Sequence, residues 1–175
     1  MICMMNLKSL LREFPDFPRK GLSFIDISPI LKEPRAMQFV ADQFYDIYKN
    51  MDINLLAGIE ARGFIFACRL AIKLGKGFIM VRRQGKLPGA TINLDYDTLY
   101  GNFKMEIQED SVTEGENVLI VDDLIATGRT ARAAGELVER LGGNVTGFAF
   151  VVEVTNLKGR DLISGYDVHS LTTYP

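Results

Sequence analysis

Histidine, cysteine and tryptophan are almost missing from this chain of 175 residues, which has one histidine, two cysteines and no tryptophan. Cys3 and Cys68 cannot build a disulfide framework, and their spacing suits neither a zinc site nor a redox pair. Such sparing use of cysteine fits a reducing cytosol. Cys68 falls in the apolar pattern "GFIFACRLAIKL" and is expected to be a small core residue. His169, in "YDVHSL", is far in sequence from any candidate loop, so a structural or surface role is expected. No apolar run approaches the roughly 20 residues that span a bilayer. The start of the chain lacks the charged-then-apolar layout of a secretory signal. A cytoplasmic protein is expected. An excess of positive charge is missing too: 20 lysines and arginines face 22 acidic residues, for a formal net charge of -2. That argues against a protein whose main task is gripping nucleic acid, which needs a basic face. It leaves room for a small anionic ligand held by a few local cations. No repeat, low-complexity tract or linker divides the chain, so a single domain over 1–175 is expected.

What is present alternates between helix and strand signals. Met37, Val40, Ala41, Phe44 and Tyr48 follow helical spacing and predict a helix over 34–50, with Pro34 in its first turn. Short apolar runs predict strands at 54–59, 77–81, 117–121 and 145–154. Helices are expected at about 63–74 and at 128–141, the second ended by Gly142-Gly143. All-apolar strands separated by helices point to an α/β fold with a parallel sheet covered on both faces. Between Gly85 and Glu116 the pattern changes: "TINLDY" and "FKMEIQ" alternate apolar with polar residues, as an exposed hairpin or flap would.

In open parallel sheets, ligands bind beyond the carboxyl ends of the strands. Two segments occupy such ends, "GIEARG" (58–63) and "VLIVDDLIATGRT" (118–130). In the second, an apolar strand runs into Asp122 and Asp123. A loop of small and hydroxyl residues follows and opens a helix. Backbone N–H groups at a helix N-terminus form an anion nest, and Thr127 and Thr130 add hydroxyl donors. The carboxylates would repel that anion, but they can accept hydrogen bonds from a diol nearby. A sugar phosphate satisfies both halves, with its phosphate against Ala126, Thr127, Gly128, Arg129 and Thr130.

The arrangement resembles the phosphoribosyl pyrophosphate (PRPP) signature of the type I phosphoribosyltransferases, and the resemblance covers nearly the whole chain from about Phe14. "FPDFPRKGLSFIDISPIL" (14–31) is similar to the N-terminal base-binding hood of the adenine-using branch, and "GIEARGFIFA" (58–67) to the family's pyrophosphate loop. "RRQGKLPG" (82–89) and "YGNFKMEIQ" (100–108) resemble the two ends of its flexible loop, and "EVTNLKGR" (153–160) its C-terminal part. The resemblance implies the family's fold, a central parallel sheet flanked by helices with a small hood and a mobile flap over about 82–108. It implies transfer of phosphoribose from PRPP to N9 of adenine in purine salvage, yielding AMP and pyrophosphate. It further implies Mg2+ held mainly by PRPP oxygens rather than by direct protein ligands, and a homodimer in which Arg82 serves the neighbouring subunit. Neither a nucleic-acid nor a membrane partner is implied.

Within that frame Arg62 is the natural pyrophosphate clamp, because a guanidinium offers a bidentate fork. Glu60 and Ala61, joined by an implied cis peptide, share that task with Arg82, Arg83 and Lys86, which form the densest cation cluster of the sequence. Phe24 would stack on the purine and Leu124 would cover its other face, with the backbone of Ser23 and Ile25 reading the base edge. Three positions depart from the family pattern. Ile25 stands where an arginine is usual and Arg129 where a second glycine is usual, while Leu99 replaces the glutamate that exchanges a proton with purine N7. Tyr100, a water held by Asp95 or Asp97, or one aspartate of the Asp122-Asp123 pair could act instead; Tyr100 is the favoured lid residue. A 6-oxopurine enzyme, or a PRPP-sensing regulator without catalysis, is the alternative reading.

Overall fold

The computed structural model describes residues 5–98 and 101–175. Its elements, in chain order, are β1 (Arg12–Pro15), β2 (Ser23–Asp26), α1 (Ser28–Lys32), α2 (Pro34–Tyr48), β3 (Leu55–Ile59), α3 (Arg62–Leu74) and β4 (Gly77–Arg83). There follow β5 (Thr91–Thr98), β6 (Gly101–Gln108), β7 (Asn117–Ile125), α4 (Arg129–Arg140), β8 (Asn144–Val154) and β9 (Asp167–Tyr174). Short 3-10 turns lie at Leu7–Leu10, Thr155–Leu157 and Gly159–Ile163.

Seven strands form one sheet in the order β5-β6-β4-β3-β7-β8-β9. β4, β3, β7, β8 and β9 run parallel, whereas β6 and β5 join antiparallel. Apolar runs that cannot alternate in polarity are buried on both sides. Leu56, Leu119 and Val121 pack with Phe44, Tyr48 and Leu70 on one face. Their chain neighbours Ala57 and Ile120 pack with Leu137, Val138 and Phe148 on the other. Burying side chains of this size contributes roughly 1.5–3 kcal/mol each, which explains why the strands need no polar face. None of the described helices is long and apolar enough to cross a membrane.

Two expectations change, and one strand is added. Cys68 is exposed, not core: the buried face of α3 carries Gly63, Phe66, Ala67, Leu70 and Ala71, and Cys68 lies one position out of that phase. The polar-apolar hairpin is not a free flap at its base. β6 pairs with β4 through Arg82↔Glu106 and Arg83↔Met105, and Met105, Glu106 and Ile107 are buried. A further strand, β9, extends the parallel sheet beyond β8, with no continuous apolar run to mark it. His169 lies on it, its Nδ1 3.2 Å from the Tyr48 hydroxyl, which fits the structural role expected of it.

Candidate active site

β3 and β7 are hydrogen-bonded neighbours with Gly58 opposite Val121, so "EARG" and "DDLIATGRT" leave the same end of the sheet side by side. The Glu60–Ala61 peptide is cis. Gly63 follows at the start of α3 because the helix comes close to β7: a Cβ there would lie 2.7 Å from the Val121 carbonyl oxygen and 2.9 Å from Asp122 Oδ1. β7 continues through both aspartates to Ile125, farther than the apolar run alone suggested.

Above this sheet end lies a cavity of about 570 Å³. Its wall brings together Ser23, Phe24, Ile25, Glu60, Arg62, Arg83, Asp122, Asp123, Leu124, Ala126, Thr127, Gly128 and Thr130. Ala61, Arg82, Lys86 and Arg129 stand outside that wall. Tyr100, like Leu99, falls outside the described residues.

Asp122 and Asp123 are both buried. Asp123 accepts a hydrogen bond of 2.5 Å from Arg62 Nε, and its own backbone N–H donates to Asp122 Oδ1 at 2.8 Å. Burial away from water, then the adjacent Asp123 charge, push the Asp122 pKa well above the ordinary carboxylate range. The Arg62 guanidinium also lies 5.3 Å from the centre of the Phe24 ring, so one arginine links the acidic pair to the aromatic wall.

At the anion-nest loop, Gly128 adopts a left-handed conformation, φ +76, and caps α4. Arg129 is helical, so an arginine fits there without left-handed backbone, and its side chain is exposed. Gly128 and Gly159 meet backbone to backbone: a Cβ on Gly128 would lie 2.1 Å from the Gly159 carbonyl oxygen. The segment "NLKGR" therefore supports the loop from behind.

Arg82 donates to Glu60 Oε2 at 2.8 Å and to the Lys86 carbonyl at 3.2 Å. Glu106 on β6 was not singled out by the sequence, yet its buried carboxylate holds the turn in place. It accepts the backbone N–H groups of Lys86 and Leu87, each at 2.8 Å. Burial raises the Glu106 pKa, but backbone donors from Gly85, Leu87 and Lys86 outweigh it and leave it lowered.

Tyr96 was missed as well. Ile92, Leu94 and Tyr96 share one face of β5, and that alternation was the available signal. Tyr96 lines the cavity; burial raises its pKa against the opposing Arg83 charge. Glu13 and Tyr174 also reach the wall, with no local sequence pattern to mark them. Among the described residues, no three His, Cys, Asp or Glu side chains come together as a metal cluster.

A model of the phosphoribosyl transferase domain matches residues 26–173. The adenine phosphoribosyltransferase of Nitrosopumilus maritimus is 51% identical over 170 residues, 97% of this chain and 100% of that protein. The crystal structure of adenine phosphoribosyltransferase from Thermoanaerobacter pseudethanolicus has a TM-score of 0.91 at 45% identity, covering 96% of this chain and 98% of that one. That of the Saccharomyces cerevisiae enzyme, complexed with an imino-altritol bisphosphate and adenine, has a TM-score of 0.87 at 42% identity, covering 94% and 96%. A chain similar to these proteins over nearly its whole length thus carries the carboxylate pair, the glycine-capped loop and the aromatic wall at one sheet end, and it belongs to the phosphoribosyltransferase family, among the adenine phosphoribosyltransferases.

Proposed function

We propose that this chain transfers the 5-phosphoribosyl group of PRPP to N9 of adenine, forming AMP and releasing pyrophosphate as a step of purine salvage. The observation that carries the reading is one cavity lined by an acidic pair, an anion nest and an aromatic face. In the transfer, the C1'–O bond to pyrophosphate breaks as the N9–C1' bond forms, and the imidazole N–H proton of adenine passes to water or to the departing pyrophosphate. Positive charge develops on the ribose and negative charge on the leaving group, so placement and electrostatic stabilisation dominate.

The 5'-phosphate sits on the backbone N–H groups and hydroxyls of 126–130, with Arg129 at the rim. Asp122 and Asp123 accept hydrogen bonds from the ribose 2'- and 3'-hydroxyls. Arg62 leaves Asp123 for the pyrophosphate, aided by Arg83 and Lys86 and by the Glu60–Ala61 segment. Mg2+, when bound, neutralises charge on the leaving group through PRPP oxygens. Two buried aspartates and Glu60 near the cavity suit a cation that keeps most of its waters and needs little direct ligation.

Adenine lies against Phe24 with Leu124 opposite, its edge read by the backbone of Ser23 and Ile25. The buried Ile25 side chain leaves only backbone available there. Tyr100 serves as the lid, and within 82–108 the part that moves lies beyond the base, where β6 is paired with β4 and buried at Met105–Ile107. Support for a homodimer comes from Ile65, Ile72 and Met80, which are 40%, 77% and 38% exposed on α3 and β4. Arg82, outside its own chain's cavity wall, is the residue shared with the neighbour. The cytoplasm is the proposed location, as cysteine usage suggested.

Incubating the protein with PRPP, Mg2+ and each of adenine, hypoxanthine, guanine and xanthine tests the reading. AMP forming from adenine alone is the expected result. Product only from a 6-oxopurine would replace the substrate, and none from any base would leave a non-catalytic PRPP sensor. A second measurement concerns the loop. PRPP with Mg2+ should protect the Arg82–Lys86 region from trypsin, and equal cleavage with and without ligand would refute a loop that closes on it.

A further inference from the structure

The hood hairpin, β1 with β2, is a two-stranded sheet of its own, and every residue of β1 is exposed. An isolated hairpin of that size is marginal in water. Yet it supplies Ser23 and Phe24 to the cavity wall. Something must fix its distance from the sheet. The Arg12–Asp26 ion pair does not, because both residues belong to the hairpin.

Glu13 makes a different set of contacts. Its Oε1 accepts the Ser23 hydroxyl at 2.5 Å, across the hairpin. Its Oε2 accepts the Tyr174 hydroxyl at 2.6 Å. Tyr174 is the last residue of β9, paired in register with Val154 of β8, so it is part of the central sheet. Lys8 Nζ lies 6.0 Å from the centre of the Tyr174 ring. One carboxylate thereby connects the strand that carries Phe24 to the edge of the rigid sheet, and all three residues line the cavity.

We infer that Glu13 is a positioning residue for the purine, holding β2 at the base end of the cavity through its two hydrogen bonds to Ser23 and Tyr174. Ser23 and Phe24 then present backbone and ring at a fixed height, so the base binds without first ordering the hairpin. Hydrogen bonds to a charged acceptor are stronger than neutral ones, which suits a carboxylate for the task. Both bonds lower the Glu13 pKa, Ser23 more than Tyr174, so the carboxylate is ionised at neutral pH. The sugar-phosphate half of the cavity rests on β7 and α4 and does not depend on this latch.

The inference rests on the proposed seat of adenine against Phe24, and three variants separate the two. Glu13→Gln and Tyr174→Phe should each raise the KM for adenine about 3- to 10-fold, because the base must then order the hairpin as it binds. The KM for PRPP and kcat at saturating adenine should stay within about twofold. The double variant should be no worse than the more affected single one, since both remove the same tie. Phe24→Ala should raise the adenine KM on its own. If Phe24→Ala raises it and both latch variants leave it unchanged, the latch is refuted and the base seat stands. If Phe24→Ala is silent, the base seat has failed and the latch with it. Parallel increases in both KM values would mean general loosening of the fold, and would also refute a role specific to the base.

Discussion

Replacing Gly159 with alanine is expected to lower kcat/KM for PRPP about 100-fold and stability by about 2–3 kcal/mol. The new Cβ would lie 2.2 Å from the Ala126 carbonyl oxygen and 2.7 Å from the Gly128 nitrogen. Both neighbours are backbone, so no side chain can swing aside. One of the two segments must move by roughly 1 Å, and a displacement of that size at a catalytic constellation can cost about two orders of magnitude. Gly159 cannot yield easily. Arg160 holds Glu153 of β8 through Nε at 3.1 Å and Nη2 at 2.5 Å, and its Nη1 donates to the Val168 carbonyl at 2.7 Å. The 126–130 loop therefore gives way, and with it the nest proposed for the 5'-phosphate. Gly165→Ala is the control, since a Cβ there meets nothing within 4 Å and should change little. The KM for PRPP should carry most of the Gly159→Ala effect. A variant with a lower Tm but unaltered PRPP kinetics would show that the loop holds no phosphate.

That contact illustrates which parts of this molecule could be read in the sequence. β3, β7 and β8 announce themselves because strands buried on both faces are largely apolar, with the acidic pair at the end of β7 and the small residues in the loop that follows it. β9 stays hidden: an edge strand reading "DVHSLTTY" is half-exposed along its length and carries no signal distinct from a loop. Cys68 misleads by a single helical position, since an apolar stretch that includes the outward Ile65 and Ile72 blurs which face is buried. Glu106, Gly159 and Glu13 are illegible for a stronger reason. Each acts through a partner distant in the chain, such as Lys86, 20 residues from Glu106, and Tyr174, 161 residues from Glu13. No local pattern encodes such a pairing. By contrast Asp122, Asp123 and Arg62 were legible because their chemistry has little other reason to stand at the end of a core strand.

The same acidic pair should make the protein more stable when it is disabled. Asp122→Asn is expected to raise the Tm at neutral pH and to lower kcat/KM about 10- to 100-fold, the loss of a charge-assisted hydrogen bond to a ribose hydroxyl worth about 1.5–3 kcal/mol. Asparagine keeps the shape and an oxygen to accept the Asp123 N–H, now 2.8 Å from Asp122 Oδ1. What it removes is a carboxyl buried against a second one, whose folded pKa stands well above its ordinary value through burial and then the Asp123 charge. Such a group binds its proton more tightly in the native state than in the unfolded chain, where carboxyls titrate near about pH 4. Below that, both states are protonated and there is no penalty. As pH rises through the interval up to the folded pKa, the unfolded state ionises first and native stability declines; above it the full penalty remains. The advantage of Asp122→Asn over the native chain should thus be absent near pH 4 and grow towards neutrality, which thermal melts across that range measure directly. A Tm difference independent of pH would mean that Asp122 carries no strained charge, and that the carboxylate is kept for packing rather than for gripping a sugar.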